Sequence, residues 1–176
     1  MTAVFFINGA VFSNWVARIP QVQQSLGMSE GQFGLALLSL GIGALLSLLA
    51  AGWLVAKLGS KPVTTLSALA SCLVLPFLAI APSAPTLALA LFAFGMANGA
   101  LDVAMNSQGV LVQQRFGRPI LSSMHAAFSF GGFAGAATGG VIAALDVAPE
   151  PHLIAIGIIA AAGMFAASRL LLAAHE

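Results

Sequence analysis

Six long apolar runs, nearly free of charge, fill most of this chain, and a single water-soluble core cannot use them all. A helix that crosses hydrocarbon needs roughly 20 mostly apolar residues. Runs of that kind cover residues 2–20, 33–55, 62–80, 86–112, 120–145 and 153–172. Only 6% of the 176 residues are charged and 60% are hydrophobic. A soluble domain carries roughly a quarter charged residues, so this chain has too few to cover a surface facing water. A membrane barrel needs alternating strands of about ten residues; these runs are continuous and far longer, so helices are expected. The expectation is an all-α integral membrane protein, residues 1–176 forming one six-helix bundle.

The connections support that count. Gln21–Gln32, Lys57–Lys61, Gln113–Pro119 and Asp146–His152 are short polar segments, and Pro82-Ser83-Ala84-Pro85 reads as a proline turn. None is long enough for a separate soluble domain. With six spans, Lys57, Lys61, Arg115, Arg118 and Arg169 share the side of the amino terminus, whereas Glu30, Asp146 and Glu150 lie opposite. Basic residues stay cytoplasmic, so both termini are expected in the cytoplasm of a plasma or inner membrane. The start has neither a basic n-region nor a small-residue cleavage site, so no cleavable signal peptide is expected. Cys72 is the sole cysteine, which excludes an internal disulfide.

Small residues let membrane helices approach closely. Gly131, Gly135 and Gly139 recur every four residues in the fifth run; Gly95 and Gly99 do so in the fourth, and Gly41, Gly43 and Gly52 lie in the second. They serve either static packing or a sliding surface, and spacing does not separate the two. Asp102 is the most informative polar residue, because a carboxylate inside the bilayer is costly unless paired, hydrated or protonated. Asn98, Asp102 and Asn106 fall four apart, on one helical face. Such a stripe lines a polar cavity or binds a neighbouring helix. Amides and a carboxylate together supply donors and acceptors, which suits a hydroxylated ligand. Asn8 and Asn14 lie six apart and do not share a tight stripe. Arg18 is expected to snorkel to the outer interface or to counter a substrate charge near the outer mouth. His125 and Ser129 face one direction, His125 being either a titratable group or a core histidine.

Enzymatic readings lack support. No serine sits on a strained turn with an oxyanion hole, the three histidines are scattered without metal-ligand spacing, and no phosphate-cradling glycine loop is present. No catalysis, cofactor, metal or nucleic-acid partner is expected.

The segment Gly52-Trp53-Leu54-Val55-Ala56-Lys57-Leu58-Gly59-Ser60-Lys61 resembles the loop signature of the major facilitator superfamily. Gly52, Lys57, Gly59 and Lys61 match it, and Ala56 stands where the family has an acid. Within that superfamily the chain looks most like the fucose-permease-like sugar:proton symporters and their bacterial relatives. The similarity lies in Phe5-Phe6, in Pro20 to Gln24, in Leu101 to Asn106, and in Ser129-Phe130-Gly131. His125 falls where that branch has a substrate-contacting glutamine, and Val16 where it has a second acid. The resemblance implies one half of a twelve-helix fold, built as two inverted three-helix repeats.

It also implies transport of a small hydroxylated solute by alternating access, coupled to protons. Asp102 would be the coupling carboxylate and Asn106 and His125 cavity residues; Asn98, Ser129 and Asn14 are further candidates for the same substrate cavity. The expected partners are that solute, H+, the lipid bilayer, and a second six-helix half or second copy. Residues 171–176 end without the long link that usually joins two halves. A half-transporter or subunit inactive alone is therefore the alternative, followed by a six-helix channel.

Overall fold

The first helix, α1 (Thr2–Ser25), runs five residues beyond its apolar stretch, taking Gln21, Gln23 and Gln24 with it. The computed structural model describes residues 1–173, so the chain end at His175 and Glu176 lies outside the described residues. Beyond α1 the helices are α2 (Glu30–Leu58), α3 (Ser60–Val74), α4 (Phe77–Ile80), α5 (Ala84–Phe116), α6 (Leu121–Ala144) and α7 (Pro149–Ser168). No strand occurs among the described residues.

Helix boundaries depart from the apolar runs for local reasons. The polar segment expected at Gln21–Gln32 shrinks to Leu26–Ser29, because Ser29 and Gln32 form a reciprocal capping box that starts α2 early. Gly27, at φ 58, makes the reversal. The third run is not one helix: α3 gives way at Leu75 and Pro76, and α4 resumes at Phe77. Pro76 has no amide hydrogen to continue the ladder. Prolines at the other end of a helix have the opposite effect. Pro85 and Pro149 lie in the first turns of α5 and α7, where a missing N–H costs nothing, so the expected turn at Pro82–Pro85 ends at Ser83. The link after α5 is Gly117–Ile120, with Gln113 Oε1 accepting the amides of Ile120 and Leu121 at 3.0 Å each.

Five helical segments are long and apolar enough to cross a membrane: α2, α3 with α4, α5, α6 and α7. Six were expected; α1 has the length but carries Asn8, Asn14, Arg18 and a glutamine-rich end. Its polar side chains are turned inward. Asn8, Asn14 and Arg18 are all buried, and Val16 and Phe6 are exposed.

The principal packing pairs are α1 with α6 and α2 with α5. Both pairs run parallel and both are closed by glycine in the same pattern. A Cβ on Gly9 would overlap the carbonyl of Phe128, and one on Gly131 or Gly135 would strike the backbone of Phe6 or Ala10. In the second pair Gly43 meets the carbonyl of Phe92, while Gly95 and Gly99 meet Leu40 and Ala44. Removing Cβ atoms there lets backbones touch, replacing the hydrophobic drive that lipid cancels. Gly41, Gly52 and Gly140 meet nothing. The next most extensive contacts join α3 to α5, α3 to α7, and α1 to α7.

Candidate functional site

Along α5, contact and openness alternate by face. Leu91, Phe94, Gly95, Leu101, Met105 and Gln108 are buried, whereas Asp102 is exposed and Asn98 and Asn106 are half-buried beside it. The four-residue stripe is therefore a real feature of the fold. The Asn106 side-chain amide donates to the Asp102 carbonyl at 2.8 Å and to its carboxylate Oδ1 at 3.2 Å. Asn98 donates to the carbonyl of Phe94 at 2.8 Å, which leaves its side-chain oxygen free. The carboxylate thus has one neutral donor at its side and open space in front.

His125 and Ser129 stand exposed on α6, with the Ser129 hydroxyl donating to the His125 carbonyl at 3.3 Å. The His125 ring lies edge-on to Phe5, centroids 5.2 Å apart. Phe5 in turn approaches Gly109 of α5. His125 is therefore level with Gly109, two helical turns along α5 from Asp102, and no hydrogen bond joins the two. Asn14 is elsewhere: it is buried between α1 and α6, donating to the Ala10 carbonyl at 2.8 Å and accepting from Thr138 at 3.4 Å. It packs beside Gly139 and does not share the open face.

At the other end of α2, Gly52 is exposed with open space around it, and the Lys57 ammonium lies 4.8 Å over the Trp53 ring. Gly59, at φ 86, forms the joint between α2 and α3, a conformation that favours glycine. Lys61 is the second residue of α3, and its carbonyl accepts from Thr65 at 2.9 Å. Ala56 is exposed and makes no charge contact in place of an acid.

Three polar groups matter more in the structure than in the sequence. Gln108 is fully buried, 0% exposed, accepting from the Ser60 hydroxyl at 2.5 Å and donating to the Leu172 carbonyl at 2.9 Å. It ties α3, α5 and the chain after α7 together. Its displacement by two residues from Asn106 is the one signal that it leaves the open stripe. Arg18 does not snorkel: it is buried, and its Nη2 donates to the Val147 carbonyl. His152 is buried as well, and nothing in its spacing distinguishes it. No cluster of metal-ligating side chains occurs among the described residues.

A bundle of long apolar helices locked by glycine seams is a multi-pass membrane protein. Residues 1–175 match the Major Facilitator Superfamily, and the chain belongs to that family. It is 40% identical over 149 residues to an uncharacterized transporter of Sinorhizobium fredii, covering 85% of this chain and 39% of that protein. An uncharacterized MFS-type transporter of Yersinia pestis is 40% identical over 147 residues, 84% of this chain and 38% of that one. The membrane protein MosC of Rhizobium meliloti is 34% identical over 169 residues, 95% of this chain and 40% of its own length. The chain thus spans about two-fifths of the curated relatives it matches.

Proposed function

We propose that this bundle is one wall of a solute transporter in which Asp102 binds the coupling proton beside a small hydroxylated substrate. The observation that carries the reading is the Asp102–Asn106 pair on the open face of α5. A carboxylate in an apolar helix is retained at a cost, and here it serves no buried contact. Asn98 and Asn106 offer neutral donors and acceptors for hydroxyl groups, and His125 and Ser129 extend the polar surface toward the end that carries the basic loops.

We further infer six spans, with α1 the sixth. Its 24 residues reach about 36 Å at 1.5 Å per residue, enough for a hydrocarbon core of roughly 30 Å. Its parallel seam with α6 supports the same reading. The packing pattern also fits two inverted three-helix repeats. Exchanging α1 with α5, α2 with α6 and α3 with α7 turns the α1–α6 contact into α5–α2, turns α3–α5 into α7–α1, and maps α3–α7 onto itself. Charge placement supports both termini in the cytoplasm of an inner membrane, and the loop from Gly52 to Lys61 is then cytoplasmic. Two such bundles rocking about a midplane site give alternating access. Resemblance to the fucose-permease-like branch supports a sugar-like substrate.

One observation favours an accompanying reading, that the chain does not transport alone: the Asp102 face has only one wall, so a second half or copy completes the site. Proton-driven uptake of a panel of polyols and monosaccharides into proteoliposomes tests both. The proposal expects uptake when a second half is supplied and none by this chain alone. Uptake restricted to organic cations or apolar compounds would overturn the substrate reading.

A further inference from the structure

Arg18 is 0% exposed, yet only its Nη2 is used, for the Val147 carbonyl; Nε and Nη1 have no partner. His152 is 4% exposed and neither of its ring nitrogens has a partner. The two belong together by register. α1 and α7 run antiparallel, with Ile7 against Gly163 and with Asn14 and Ile156 lining one cavity between the two helices, and that register continued sets Arg18 against His152. Half-buried Glu150 lies in the first turn of α7, two residues before His152.

We propose that His152, held beside Arg18 and Glu150, is a second proton-binding site at this end of the bundle, separate from the Asp102 face. Proton uptake there loosens the tie between α1 and the α6–α7 connection. A neutral imidazole has one nitrogen free to accept from the guanidinium, and a small rotation satisfies an orphan on each side. An imidazolium loses that acceptor and sets two positive charges together where the dielectric is low. Glu150 on α7 and Asp146 in the connection oppose that repulsion, and both move with the connection. The stretch of α6 facing α1 here carries no titratable group, and Cys72 of α3 packs beside Gly157, more than one turn from His152. On the orientation proposed above this end faces outside, so the group that responds is set by external pH.

The test is the distance between spin labels at exposed Gln24 and Leu145, in the functional transporter in lipid nanodiscs with Cys72→Ser. Acidification from pH 8 to 5 is expected to move the distribution to longer distances, and His152→Gln to abolish that shift. Glu150→Gln, which removes the opposing charge, is expected to move the midpoint to lower pH. A distribution that is flat across this range, a shift retained in His152→Gln, or an unmoved midpoint in Glu150→Gln overturns the proposal. None of these readouts depends on Asp102 or on solute uptake.

Discussion

Two faces of the same helix, α5, have opposite chemistry. One is given over to contact: Gly95 and Gly99 touch the α2 backbone, and Gln108 is hydrogen-bonded on both sides. The other holds exposed Asp102 between half-buried Asn98 and Asn106. A membrane helix gains little by burying apolar side chains against other helices, since lipid is as apolar as leucine. Close backbone approach and satisfied polar groups therefore do the holding, and a polar group left open is free for another use. The contact face should answer to stability measurements, and the open face to transport.

The largest effect is expected on the seam. Gly95→Leu puts a side chain where the Leu40 backbone already lies, and overpacking against backbone exceeds the usual ~1–3 kcal/mol. Thermal unfolding in detergent should show little folded protein. Gly41→Ala on α2, which meets nothing, should stay folded and gain up to about 1 kcal/mol in helix propensity; equal losses from both would contradict the seam.

Next is Gln108→Leu, which leaves the Ser60 hydroxyl and Leu172 carbonyl without their buried partner. A cost of about 1–3 kcal/mol is expected, read as a lowered Tm. An unchanged Tm would show that the network holds nothing.

The smallest is Asn106→Ala on the open face. It removes one neutral donor from the Asp102 carboxylate, so Tm should hold while uptake falls by about tenfold or less, roughly one hydrogen bond at 1.4 kcal/mol per tenfold. A loss of folded protein instead would place Asn106 on the contact face.

Much of this division was legible in the residues. Continuous apolar runs specified helices in a membrane, and four-residue spacing put Asn98, Asp102 and Asn106 on one face because helical periodicity is local. The glycine seams were legible as small-residue faces; which helix each would meet was not, since pairing α1 with α6 depends on tertiary contact. Helix starts depart from the apolar runs where a polar capping box or a first-turn proline extends the helix, as Ser29–Gln32 and Pro149 do. Arg18 and His152 were hidden for a different reason: an arginine near a helix end has an easy path to water, and only the packing of the α6–α7 connection over it closes that path.

On the function proposed above, Asp102 carries the coupling proton on an otherwise intact scaffold. Asp102→Asn in the functional transporter, assayed in proteoliposomes both for pH-driven accumulation and for solute exchange without a gradient, tests it most directly. Accumulation should be lost while exchange and Tm are kept. Accumulation at the level of the unsubstituted protein would contradict it.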